Sequence, residues 1–173
     1  MRAAIYAVAA LAAFAPAADA SGGRAVMTCA SQSSTYFPGA FRDSANVVIG
    51  PLAWLFARDQ ADTDGAYGDG FRWKHPVLVR PGHTVAMRMG AAAKDFAGFA
   101  YDHAGGSAFG ESERTVVFKA CSRSKAASRT DGKPVTFWSG AIVATRGSIC
   151  LPVEIRVDRG PVRRRTIALN ADC

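Results

Sequence analysis

Short runs of β-branched and aromatic residues, each cut off by a turn signal, constrain this chain more than any other feature. They are "NVVIGPLAWLFA", "HPVLV", "TVAMRM", "DFAGFAYD", "RTVVFKACS", "VTFWSGAIVA", "ICLPVEIRVD" and "RRTIALN". Runs of this length and composition between Gly, Pro, Asn and Asp clusters read as strands. Beyond the N-terminal leader, no stretch of ten residues keeps a 3.6-residue apolar period free of Gly and Pro, so helices are not expected. The prediction is an all-β domain, an antiparallel β-sandwich of immunoglobulin-like type, with a jelly roll as the alternative. "RPGH" (80–83) suits a type II turn with Gly82 at positive φ, and "TDGK" (130–133) is a second turn.

The leader bounds the compartment. Arg2 precedes the apolar stretch Ala3–Phe14, and "ADA" at 18–20 offers a small-x-small cleavage site. Residues 1–20 therefore read as a signal peptide and 21–173 as one domain. The apolar stretch is far short of the roughly 20 residues of a bilayer span, and no other segment is apolar enough for one. A secreted protein is expected, extracellular or associated with the cell envelope, monomeric and without a transmembrane segment. Cys29, Cys121, Cys150 and Cys173 make an even count, which in an exported chain reads as two disulfides. Four cysteines allow three pairings. The preferred one is Cys121–Cys150, joining two strand-like segments, with Cys29–Cys173 tying the ends. Zinc is disfavoured because there is no C-x-x-C and no His stands beside a Cys.

Alternation assigns faces at the C-terminus. In "PVEIRVD" Val153, Ile155 and Val157 point one way, and in "RRRTIAL" Ile167 and Leu169 set the core face, with Arg163 and Arg165 on their parity. A three-residue loop, Gly160–Val162, would put Ile155 opposite Ile167, Val153 opposite Leu169 and Asp158 opposite Arg164. Arg163 and Arg165 would then lay their stems over the rim with the guanidinium groups in water.

Charge is unevenly spread. The chain carries +7 overall. Residues 111–173 hold 12 Lys or Arg against 6 Asp or Glu, whereas residues 41–110 balance at 7 and 7. Such asymmetry points to an anionic partner. The expected anion-binding residues are Arg123, Lys125 and Arg129 in a polar loop, and Arg156, Arg159, Arg163 and Arg165 in the final hairpin. An anionic cell-wall polymer or an acidic protein surface suits them. Specific nucleic-acid recognition does not, since no aromatic-basic motif and no groove-reading helix is present.

Chemistry-bearing motifs are few, and neither catalysis nor a cofactor is expected. There is no G-x-S-x-G, H-E-x-x-H, P-loop or G-x-G-x-x-G. Asp102, His103, Ser107 and Glu111 could be drawn as a triad, but adjacent Asp and His on a strand point to opposite faces. "DTDGAYGDG" (62–70) fails the calcium-loop spacing and reads as an acidic turn. Tyr67, Phe71 and Trp73 could stack on a sugar, or cap an open end of the core as loop aromatics, the preferred reading. In "HTVAMRM", His83, Met87 and Met89 share a face if extended, a soft donor set suited to Cu(I). Core packing of the methionines is preferred, with an extracytoplasmic copper-binding protein as the alternative function.

Through "VVFKACSRS", "VTFWSGAIVAT" and "CLPVEIRVDRGPVRRRTIAL", with Cys121, Trp138 and Cys150, residues 47–173 resemble small secreted β-sandwich proteins of high-GC Gram-positive bacteria that have no assigned activity. The resemblance implies secretion and a Cys121–Cys150 disulfide. It carries over no catalytic residues.

Overall fold

The computed structural model describes residues 23–57, 66–67, 70–101 and 109–173, with backbone alone at 66, 67 and 111. The segment read as a signal peptide, Asp62, Asp64 and Asp69 of the stretch read as an acidic turn, and Asp102, His103 and Ser107 lie outside the described residues. The strands are β1 (Arg24–Met27), β2 (Val47–Ile49), β3 (Leu52–Trp54), β4 (Ala66–Tyr67), β5 (Gly70–Lys74), β6 (Val77–Val79) and β7 (Thr84–Met89). Then follow β8 (Ala97–Ala100), β9 (Thr115–Lys119), β10 (Ser128–Thr130), β11 (Lys133–Trp138), β12 (Ala141–Ala144), β13 (Ile149–Val157) and β14 (Arg163–Leu169). Helical structure among the described residues is confined to three-residue 3₁₀ turns.

The all-β, mainly antiparallel, disulfide-bonded class expected from the sequence holds. The strands form three sheets, in place of the two of an immunoglobulin-like or jelly-roll sandwich: β1-β9-β7-β13-β14, β10-β11-β6-β3-β2, and β4-β5-β12-β8. Two apolar runs contain a turn each. Gly50, at φ 55°, lets β2 fold onto β3, and Ser139-Gly140 separates β11 from β12. "GFRWK", read as loop, is strand β5, so Trp73 lies fully buried in the core with Phe71 stacked on it at 6.1 Å. These two aromatics are strand residues, not loop residues.

One core joins the three sheets. Trp54, Trp73, Phe99, Phe118, Trp138, Met87, Leu151 and Ile155 are all within it, none more than 1% exposed. Three of its polar groups are linked in a chain: Trp54 Nε1–H donates to the Tyr101 hydroxyl (3.0 Å), which donates to the His75 carbonyl (2.5 Å). Burial pushes the Tyr101 phenol well above its ordinary pKa, so it stays a donor. Tyr101→Phe is expected to cost about 1–3 kcal/mol, because it strands the Trp54 N–H and the His75 carbonyl in an apolar interior. Urea unfolding measures it, and an unchanged midpoint would contradict the pairing.

The second sheet is buried on both faces. Ala53, Leu55, Leu78, Val135 and Phe137 turn away from the main core and are covered by Phe37, Ala40 and Phe41 from the segment ahead of β2.

The disulfides are Cys29–Cys121 and Cys150–Cys173, not the expected Cys121–Cys150 and Cys29–Cys173. The reason is strand direction. β1 runs parallel to β9 with Met27 beside Phe118, so the chain leaves both strands at the same end and Cys29 meets Cys121. β14 brings Ala168 opposite Cys150, a few residues before Cys173, which folds back onto it.

The hairpin register also differs from expectation. Leu151 faces Ile167, Ile149 faces Leu169, Ile155 faces Arg163 and Val153 faces Arg165. The turn is longer, with Asp158 at φ 50° and tied by hydrogen bonds to Thr84. Arg164 therefore pairs with Glu154 (3.1 Å) and not with Asp158. The slide is even, so the inside–outside alternation survives.

Candidate functional site

Four segments meet at one end of the strands. The Pro81-Gly82 turn, with Gly82 at φ 80° as expected for type II, follows β6, and its Gly82 N–H donates to the Cys121 carbonyl (3.1 Å). That bond and the Cys29–Cys121 bridge seat the loop carrying Arg123 beside the turn. Asp131 and Gly132, at φ 49° and 75°, close the β10–β11 hairpin in the primed geometry that Asp-Gly favours and bring Lys133 to the same place. The segment covering the second sheet supplies Phe41 and Arg42.

Between them lies an open groove of about 760 Å³ lined by Phe41, Arg42, Arg80, His83, Arg123, Asp131 and Lys133, among others. Two of its cations are held by side-chain contacts. The Arg80 guanidinium lies 4.5 Å from the centre of the Phe41 ring, a cation–π contact. Arg42 pairs with Asp131 at 3.1 Å, and Asp131 also accepts the Gly39 N–H (2.9 Å). Among the described residues, four cations thus face one carboxylate, which is already engaged. His83 donates toward Asp158 at 2.8 Å across the rim. The Thr84 N–H, and next the His83 imidazole, hold the Asp158 carboxyl below the ordinary carboxylate range.

The sequence-predicted residues divide around this site. Arg123 lines the groove. Lys125 is exposed in the same loop, and Arg129 donates to the Gly132 carbonyl of the turn (3.2 Å). Arg159 follows Asp158 in the β13–β14 turn. Arg156 is on the outer face of β13, away from the groove lining. Arg163 is exposed and Arg165 half-buried on the core-side parity, the latter donating to the Arg164 carbonyl (2.8 Å). Sequence reasoning missed Phe41, Arg42, Arg80 and Lys133. The signal for two of them was present, since Arg80 opens the Pro-Gly turn and Lys133 closes the Asp-Gly turn.

The structure does not bring the soft donors together. Met87 and Met89 point into the core at 0% and 4% exposure, whereas His83 precedes β7 and turns to Asp158. Four extended residues separate His83 from Met87 by about 13 Å at roughly 3.3 Å per residue. Among the described residues no three His, Cys, Asp or Glu side chains gather as a metal site, and no helix is long and apolar enough to cross a membrane. No protein-family model matches the chain, and neither a curated protein nor a solved structure matches it.

Proposed function

We propose that this is a secreted, non-catalytic binding protein of the cell envelope whose basic groove holds an anionic wall polymer. The observation that carries the reading is the convergence of Arg42, Arg80, Arg123 and Lys133, from four separate segments, around one concavity with a single carboxylate among its described residues. Cations spread by chance over a soluble surface do not need a cation–π contact, an ion pair and a disulfide-anchored loop to hold them in place. The groove's size suits several units of a chain, and its Phe41, Pro81 and Pro134 walls suit the carbon skeleton between charges. The two disulfides fit an oxidising compartment.

The test is cosedimentation of the purified protein with its host's cell walls at low and at high salt. Binding is expected at low salt and lost near 1 M, where the screening length falls to about 3 Å. The variant Arg80→Ala/Arg123→Ala is expected to bind roughly 30-fold more weakly, at about 1 kcal/mol per cation near an anionic surface. Binding that ignores both salt and the two substitutions would overturn the reading.

A further inference from the structure

The first sheet presents an outer face unlike that of the second. The second sheet's outer face is roofed by Phe37, Ala40 and Phe41. On the first sheet the cross-strand register lines up Arg24, Thr115, Arg88, Glu154 and Arg164 in one row, and Val26, Val117, Ala86 and Arg156 in the next. Lys119 and Thr84 follow in a third row. All five cations are exposed. The carboxylates on these strands and their turn are Glu154, paired with Arg164, and Asp158 at the edge, paired with His83.

The second row carries the apolar part of this face. Val26, on the edge strand β1, is 43% exposed and Val162, in the turn before β14, is 41% exposed, with the buried Val117 and the half-buried Ala86 between them. Exposed valines at the two ends of this row, with long cationic side chains in the rows on either side, form an amphipathic arrangement. Arginine and lysine stems can lie along apolar surface while their heads reach phosphate level. The depressions here are shallow: one among Ala86, Arg88, Thr115, Glu154, Arg156 and Val162 is about 180 Å³, and one beside Glu154 and Arg164 is about 240 Å³. A broad, shallow face with exposed valines flanked by cations complements a flat surface of anionic heads over an apolar layer.

We infer that this outer face docks on an anionic lipid bilayer, with Arg24, Arg88, Lys119 and Arg156 against the headgroups and Val26 and Val162 at the level of the glycerol backbone. This is independent of the groove, and the two sites place the protein between membrane and wall. Attraction adds up per cation and fades with salt.

The experiment is cosedimentation with vesicles of phosphatidylglycerol mixed into phosphatidylcholine, beside pure phosphatidylcholine vesicles. The protein is expected to pellet with the anionic vesicles at low salt and not with the neutral ones. Arg24→Gln/Arg88→Gln/Arg156→Gln is expected to weaken this on the order of 100-fold, whereas lysine at the same three positions retains it. Arg80→Ala/Arg123→Ala, which disables the groove, is expected to leave vesicle binding unchanged. Three results would overturn the inference: no binding to anionic vesicles, full binding by the glutamine variant, or loss with the groove variant and not with the face variant. Failure of the lysine version together with the glutamine version would also overturn it, by showing that the positions act through something other than charge.

Discussion

Replacing Cys29 and Cys121 with serine is expected to destabilise the domain by about 4–5 kcal/mol, the loss predicted when a cross-link between residues this distant is removed from the unfolded chain. The two cysteines lie 92 positions apart, so the bridge closes the longer of the two disulfide loops. Its structural context adds to the effect. β1 is an edge strand held to the first sheet through β9, and Cys29 follows it directly. Without the bridge β1 loses its covalent tie, and the loop with Arg123 loses an anchor beside the Pro-Gly turn. Replacing Cys150 and Cys173, 23 positions apart, is expected to cost less, about 3–4 kcal/mol by the same relation. Urea unfolding of the two double-serine variants decides the order. A smaller loss for the Cys29/Cys121 variant would contradict the assigned role of β1, and mass mapping of intact bridges checks the pairing directly.

Lowering the pH from about 6.5 to about 4 is expected to remove roughly 3 kcal/mol of stability through His75 alone. The side chain is fully buried between β5 and β6. Its Nδ1 lies 3.1 Å from the Leu55 carbonyl, which can only accept, so Nδ1 carries the proton. Nε2 is buried and, among the described residues, has no partner to stabilise a second one. Desolvation of the charged form dominates, against the raising effect of the Leu55 bond, and lowers the pKa from 6.5 to about 4. The sign follows from proton counting. Between these two values the unfolded chain binds a proton that the folded chain refuses, so stability rises with pH across that window and is fully present above it. In His75→Gln the slope between pH 6.5 and 4 is expected to flatten. The depressed Asp158 carboxyl acts below that range, where its protonation breaks the bonds to Thr84 and His83. An identical slope in His75→Gln and the parent would contradict the assignment.

Much of the fold was legible because strand signals are local. β-branched runs, the Pro-Gly turn and the Asp-Gly turn each announce their own geometry within a few residues. What was not legible depended on which strand lies beside which. "RAVM" carries no strong strand signal, and nothing local says that it joins β9 in parallel. Once it does, Cys29 is forced toward Cys121, and the preferred pairing fails. The hairpin failed in a similar way. A short Gly-Pro-Val loop was compatible with the alternation, but bonds from β7 to Asp158 enlarge the turn and slide β14 along β13. The even slide kept every face assignment while changing every partner.

The site was half visible for the same reason. Charge asymmetry drew attention to the C-terminal third, and Arg123 does line the groove. Arg42 and Arg80 lie in the half whose charges balance, where counting hides them. Acidic residues that offset them in the count need not be their neighbours in space, and among the described residues Asp131 is the carboxylate at the groove, already paired. The arginine run at 163–165 has a divided role that counting also obscures. Arg164 is paired on the outer face, while Arg163 and Arg165 border the core along an edge strand, where charge discourages pairing with another chain.

The measurement that tests the groove most directly is a nuclear magnetic resonance titration of the isotope-labelled full domain with short-chain polyphosphate, a probe that supplies closely spaced anionic charge. The amides of Gly82, His83, Ser122, Arg123, Asp131 and Gly132 are predicted to shift together and saturably, at low salt, and to stay still in Arg80→Ala/Arg123→Ala. Shifts scattered over the surface in proportion to exposed arginine, with none concentrated at these loops, would contradict the account.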